Sequence, residues 1–301
     1  MRLNRFLLFS FFSILFLFYP GDSYYYHLFS YDREFFSKKE KPMVKNEIKP
    51  IPVLKNNYYP EITAEGAYVI NLASFTPVFE RNKDNKFLPA STTKIITALT
   101  AYDVFNLEDV ITVKRIVEEG QTMGLVNQER ITVENLLYGT LVHSGNDAAY
   151  ALADAYGYDK YVEKMNQKAD SLGMKNSHFT NPAGLDDFNQ NTTAYDMTLA
   201  ARELLKNKLL RKIVSTKEIT ISDVDFQVFH RLVNVNKLLG EIHGIGGLKT
   251  GYTENAGENL VSLYKKNGEE YIFVVLHSTD RFQDTRNIVQ WINDNIEYIT
   301  P

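Results

Sequence analysis

The residues best suited to chemistry are Ser91 and Lys94, in the stretch Leu88-Pro89-Ala90-Ser91-Thr92-Thr93-Lys94. Ile95, Ile96, Ala98, Leu99, Ala101, Tyr102 and Phe105 follow at helical spacing, so a buried helix starts here. Pro89 and Ala90 form its entry and Ser91 belongs to its first turn. Residues three apart on a helix face the same way, which sets the serine hydroxyl beside the lysine amine. A hydroxyl needs a base to become a nucleophile, and a buried amine can supply one. Taken alone, the pair also fits a capping serine and a solvated lysine. The chain carries a control in Ser262-Leu263-Tyr264-Lys265. That copy falls in a strand pattern, where residues three apart point to opposite faces, and Ser262 reads as structural.

Two further short motifs follow in order, Ser144-Gly145-Asn146 and Lys249-Thr250-Gly251. The elements that must position all three can be read from periodicity. Strands are expected at 67–72 and 77–80, before the Ser91 helix. An apolar helical pattern runs through 131–145, opened by Thr132 as N-cap with Asn135 three residues on. Helices are expected at 148–156 and 158–172, stopped by Gly157 and Gly173, and at 193–207. Residues 217–229 alternate as a strand, and 247–252 form a short strand between glycines. Strands at 259–265 and 271–277 are joined by Lys266-Asn267-Gly268-Glu269, a hairpin signal. An amphipathic helix is expected over 282–299. This order predicts an α+β fold, an antiparallel sheet flanked by helices with a helical subdomain.

The chain has 301 residues, of which 44% are hydrophobic, enough for a substantial core. Its formal net charge is -4 and it has no long basic run beyond the N-terminus, so no nucleic-acid partner is expected. There is no cysteine, which excludes disulfides and thiolate metal sites. His27, His143, His178, His230, His243 and His277 form no metal-ligand spacing, and neither metal nor organic cofactor is expected. Arg2 and Arg5 precede an apolar run over 6–19, broken only by Ser10 and Ser13. This is the layout of a secretory signal. As a helix the run would span roughly 21 Å, short of the ~30 Å hydrocarbon core. No small-residue cleavage site follows, so residues 1–19 read as an uncleaved signal anchor or a cleaved signal peptide. Both readings put the body outside the cytoplasm, in the periplasm or at the cell surface. Residues 20–58, with Lys-rich and Pro-containing stretches, read as a linker, and the aromatic stretch from Tyr24 to Phe36 finds no assignment. The domain proper is expected over 59–301.

The three motifs together resemble those of the penicillin-recognising serine enzymes. Their flanks are similar to D-alanyl-D-alanine carboxypeptidases, the low-mass penicillin-binding proteins, and the resemblance covers about residues 60–300. The similar stretches are Leu137-Tyr138-Gly139, Ser144 to Ala149, Phe179 to Asp186, Asn234 to Leu239 and Leu248 to Thr253. The resemblance implies a β-lactamase/transpeptidase-like fold and acyl transfer through a covalent acyl-enzyme. It implies Ser91 as nucleophile, Lys94 as its base and Ser144 as a proton relay to the leaving amine. Burial of Lys94 beside Lys249 would yield the neutral amine. Asn146 would serve the substrate backbone and hold Lys94. Lys249 and Thr250 would take the substrate's terminal carboxylate. Gly251 would let the peptide approach the strand edge, and the N–H groups of Ser91 and Tyr252 would form an oxyanion hole. The partners implied are a peptidoglycan stem peptide ending in D-Ala-D-Ala, β-lactam antibiotics, and the membrane through the N-terminal segment.

Two departures from the pattern stand out. Many members carry an acidic residue shortly before the Lys-Thr-Gly motif, where this chain has Gly244-Ile245-Gly246-Gly247. A changed turn is expected there. Many also carry a β-rich C-terminal domain and an amphipathic anchor, so anchoring here is expected to fall to the N-terminus. Rival functions stay open: a D,D-endopeptidase on wall crosslinks, a β-lactamase, or a non-catalytic penicillin-binding sensor. Class A β-lactamases use Ser-Asp-Asn and a Glu-x-x-Leu-Asn loop; here the second motif is Ser-Gly-Asn and no such loop occurs. Asp147 reads as a helix-start charge, His143 as a structural neighbour of the second motif, and Asn181-Pro182 with Gly184 as a turn.

Overall fold

The run Tyr271-Ile272-Phe273-Val274-Val275-Leu276 has no polar alternation, so a strand built from it must be covered on both faces. The computed structural model, which describes residues 3–17 and 50–299, shows this arrangement. An N-terminal unit contains α1 (Leu3–Leu17). Among the described residues, no helix is long and apolar enough to cross a membrane. The aromatic stretch from Tyr24 to Phe36 and most of the expected linker lie outside the described residues.

The body opens with β1 (Ile51–Leu54), β2 (Gly66–Asn71) and β3 (Pro77–Arg81). A 3-10 turn, Ala90–Thr93, runs into α2 (Lys94–Val104). The helical part follows, with β4 (Val110–Thr112), β5 (Arg130–Thr132), α3 (Val133–Leu141), α4 (Asn146–Tyr156), α5 (Tyr158–Leu172), α6 (Ala194–Lys206) and α7 (Lys208–Val214). Then come β6 (Glu218–Ser222), β7 (Phe229–Val233), β8 (Ile245–Thr253), β9 (Gly257–Lys266) and β10 (Glu269–Ser278). The body closes with α8 (Arg281–Asn295) and β11 (Ile296–Ile299).

The main sheet is antiparallel with strand order β3-β2-β10-β9-β8. Along β10, Ile272, Val274 and Leu276 enter one hydrophobic cluster, shared with the helices. Tyr271, Phe273 and Val275 enter a second cluster, with Ile288, Trp291 and Ile292 of α8. The sheet is therefore the middle of three layers, and β8 is its edge beside the Ala90–Thr93 turn. The α+β fold is the one expected. Local signals also acted as read: Thr132 Oγ1 accepts from Asn135 N at 3.3 Å, and Gly173 closes α5 at φ 81°. The β9–β10 turn uses Asn267 and Gly268, both at positive φ.

Three boundaries are corrected. Residues 51–54, placed in the linker, form β1 and pair with β11. The closing helix ends at Asn295, and the rest of the expected 282–299 helix is that strand. Ile296, Tyr298 and Ile299 are residue types that favour a strand, and pairing with β1 fixes them as one. The single strand expected over 217–229 is the start of a hairpin, β6–β7, in register from Glu218↔Val233 to Ser222↔Phe229.

Candidate active site

Ser91 lies in the 3-10 turn and Lys94 is the first residue of α2, so the motif straddles the two. Lys94 is fully buried. Its Nζ lies 2.8 Å from Ser91 Oγ, 2.7 Å from Asn146 Oδ1 and 2.7 Å from Ala183 O. Two of these partners, an amide oxygen and a peptide carbonyl, can only accept. Once it loses a proton, the amine can satisfy them with its two N–H groups and turn its lone pair to the third partner, the serine hydroxyl. Burial brings the Lys94 pKa down to about 7, against a smaller opposing pull from Asp147. Geometry and electrostatics both prepare the amine as a base. Ala90, just before the serine, is buried and sits at φ 46°, a conformation disfavoured for a residue with a Cβ.

Asn146 opens α4, and the loop between β4 and β5 moulds it. Asn146 N donates to Gln121 O at 2.7 Å, and Asn146 Nδ2 donates to Glu119 O at 2.7 Å. The second bond fixes the amide orientation, so Oδ1 must face Lys94. Asp147 holds the same loop. Its Oδ1 accepts from Met123 N at 2.9 Å, and its Oδ2 accepts from Gly124 N at 2.9 Å and Leu125 N at 3.0 Å. Asp147 is therefore a buried loop anchor, more than the helix-start charge expected. His143, beside the motif, contacts Gln121 Nε2 at 2.8 Å and Val233 of β7.

Ser144 and Lys249 form the second pair. Lys249 Nζ donates to Ser144 Oγ at 2.8 Å and to Thr250 O at 2.8 Å. Both side chains are buried, and Ser144 sits at φ 61°. Burial, then Lys94, then Arg281 push the Lys249 pKa well below the ordinary lysine value. Thr250 is buried and Tyr252 is largely exposed on β8. A Cβ added at Gly251 would stand 2.9 Å from Ser91 N, so only glycine lets the strand lie this close to Ser91. The three motifs thus converge on one site, linked by hydrogen bonds from Lys94 to Ser91, from Lys94 to Asn146 and from Lys249 to Ser144.

Some members of the site escape motif reading. Arg281 Nη1 donates to Gly251 O at 2.8 Å and braces β8 from behind. Its signal was present, since a cation in the first turn of a helix opposes the helix dipole and needs another reason to be there. Ala183 contributes a carbonyl, which no side-chain pattern reveals. Asp186 accepts from Thr253 Oγ1 at 2.7 Å and Asn255 Nδ2 at 3.0 Å, tying the 181–186 loop to the end of β8. Among the described residues, no cluster of His, Cys, Asp and Glu is arranged to hold a metal ion.

Comparison with known proteins identifies the family. A family model described as D-alanyl-D-alanine carboxypeptidase, peptidase S11, matches residues 54–280. The D-alanyl-D-alanine carboxypeptidase DacF of Bacillus subtilis is 34% identical over 224 residues, covering 70% of this chain and 57% of DacF. The D-alanyl-D-alanine carboxypeptidase of Streptomyces sp. strain K15 is 32% identical over 240 residues, covering 73% of this chain and 82% of that enzyme. Escherichia coli DacC is 32% identical, covering 80% of this chain and 64% of DacC. The chain thus spans little more than half the length of DacF and most of the Streptomyces enzyme. The crystal structure of the Streptomyces K15 DD-transpeptidase superposes with a TM-score of 0.74 at 31% identity, covering 78% of this chain and 98% of that one. The family match over residues 54–280, together with the shared fold, places this chain in the D-alanyl-D-alanine carboxypeptidase family of serine peptidases.

Proposed function

We propose that the protein is a serine-type D-alanyl-D-alanine carboxypeptidase that removes the terminal D-Ala from peptidoglycan stem peptides and is acylated by penicillin. The observation that carries this reading is the 2.8 Å contact between Ser91 Oγ and the buried Lys94 Nζ, whose pKa burial brings down to about 7. Ser91 Oγ attacks the carbonyl carbon of the penultimate residue while Lys94 Nζ takes its proton. The N–H groups of Ser91 and Tyr252 receive the developing oxyanion. The proton reaches the leaving amine through Ser144, which Lys249 holds in place. D-Ala departs, and water then hydrolyses the ester on Ser91 with Lys94 again as base. Lys249 and Thr250 receive the terminal carboxylate, and the peptide pairs with the free edge of β8. The basic, apolar N-terminal segment fits delivery of the body outside the cytoplasm and attachment to the membrane.

D-alanine release from a diacyl-Lys-D-Ala-D-Ala tripeptide tests this. The wild type should release D-alanine and Ser91→Ala should not, nor should it bind penicillin covalently. Release or labelling that survives Ser91→Ala overturns the nucleophile. A stable penicillin adduct without D-alanine release overturns the carboxypeptidase reading in favour of an endopeptidase or a sensor. Rapid penicillin turnover does so in favour of a β-lactamase.

A further inference from the structure

The loop that moulds Asn146 is clamped at its far end by a buried pair outside the three motifs. His230, on β7, has Nδ1 3.1 Å from Met123 O and Nε2 2.7 Å from Glu129 Oε1. The His230 side chain is 4% exposed and that of Glu129 is 0%. The other Glu129 oxygen accepts from Val126 N at 2.9 Å. Met123, Val126 and Glu129 all belong to the loop that carries Glu119 and Gln121. The carbonyl has no hydrogen to give, and an ionised carboxylate has none either. The two contacts are therefore made together only when imidazole and carboxyl share two protons, an imidazolium beside a carboxylate or its neutral equivalent. With one proton fewer, a buried acceptor faces a lone pair and a bond is lost.

We propose that the His230–Glu129 pair is a positioning device for the reaction: while it holds its second proton it clamps residues 119–129, and losing that proton lets Asn146 leave Lys94. This rests on the acyl-transfer role proposed for Lys94. The chain of contacts is short. Met123 O is held by His230 and Met123 N by Asp147, while Gln121 and Glu119, just upstream, hold Asn146 N and Nδ2.

The groups facing His230 set the direction of its titration. Burial works against a charged ring, but the bond to Glu129 and the charges of Glu129 and Asp147 outweigh it and raise the pKa above the ordinary imidazole value. Across the β6–β7 ladder His230 meets Ile221. The acidic groups of that hairpin are engaged elsewhere, Glu218 with Arg231, Asp223 with the amides of Gln227 and Val228, and Asp225 with Arg130. A raised folded pKa means that the clamp is complete below the ordinary histidine value and is lost as pH rises through the raised one. Lys94 acts in the opposite sense, since it gains its lone pair as pH rises through about 7. The pair thus supplies the alkaline limb of the activity profile and Lys94 the acid limb.

Glu129→Gln separates clamp from proton. Its amide oxygen can accept from Val126 N while its NH2 donates to Nε2 of a neutral His230, whose Nδ1–H still reaches Met123 O. Every bond survives, and none of them needs the second proton. The experiment measures the rate of Ser91 acylation by fluorescent penicillin from about pH 5.5 to about pH 9.5. Amide exchange of peptides spanning 119–129 is followed in parallel. The wild type should lose roughly tenfold or more of its acylation rate on the alkaline side, and Glu129→Gln should stay within about twofold of its maximum. The wild-type segment should exchange increasingly faster than that of the variant as pH rises. His230→Gln, which also carries no proton to lose, should likewise lack the alkaline fall. Superimposable rate profiles overturn the positioning role, and equal exchange at every pH overturns the clamp. Divergent exchange with no penicillin labelling in any variant upholds the clamp and overturns the acyl-transfer reading instead.

Discussion

Lys249 is buried with hydroxyl and carbonyl partners, and the ionisable groups that shift it, Lys94 and Arg281, are both basic. Such a site is short of one negative charge. A substrate carboxylate arriving beside Thr250 supplies it and favours the protonated form of Lys249. Lys249→Ala should therefore weaken binding of a peptide with a free C-terminus by about 2–5 kcal/mol, as expected when one partner of a buried charge pair is removed. Esterifying that C-terminus should harm the wild type far more than the variant. Inhibition constants for the free and esterified peptides against both proteins measure this, and an equal penalty in both would sink the assignment. At this scale the sequence was legible where side chains act at fixed spacing, as in Ser91-x-x-Lys94. It was silent where backbone acts. Nothing in the residue types of Glu119 or Ala183 announces that their carbonyls orient Asn146 and Lys94.

The nucleophile's turn, the 181–185 loop and β8 meet without side chains to spare. Gly184, at φ 84°, packs so closely on Ala90 that a Cβ there would overlap Ala90 O. Asn181 Oδ1 ties the loop together by accepting from the N–H groups of Ala183, Gly184 and Leu185. Gly184→Ala combines a disfavoured φ with a clash against main chain, so it should cost on the order of 2–4 kcal/mol of stability. It should also displace Ala90 and slow acylation at Ser91 more than the stability loss explains. Urea unfolding and penicillin labelling below the transition check both, and an unchanged midpoint would show that the loop yields freely. Elements with strong periodicity were legible because burial of one stripe or two faces dictates them. The β1–β11 ladder was not. Each strand has only four residues, Pro52 reads as a linker residue, and Ile296–Ile299 continues an apolar helical pattern. Only the pairing Ile51↔Ile299 to Leu54↔Ile296 makes them strands, and that pairing joins the two ends of the body.

The whole molecule carries a stability cost for its base. In the unfolded chain the Lys94 amine titrates near the ordinary lysine value, ~10.4, whereas in the folded protein it titrates at about 7. Between these values the unfolded state holds a proton that the native state lacks, so stability rises with pH across that window. The slope from one such group is at most about 1.4 kcal/mol per pH unit. Lys249, also lowered by burial and by its cationic neighbours, contributes with the same sign, and the raised His230 with the opposite sign. Lys94→Met removes one group from this balance, relaxes the part of the Lys249 shift that Lys94 causes, and leaves His230. Urea unfolding at a series of pH values from about 7.5 to about 9 should show a shallower rise of stability for Lys94→Met than for the wild type, by up to that slope. Penicillin acylation should be lost at every pH. If the two proteins keep the same slope, Lys94 is charged in the native state. An ammonium facing Ser91 has no lone pair to offer, and the base would then have to be sought among the other groups that reach the serine.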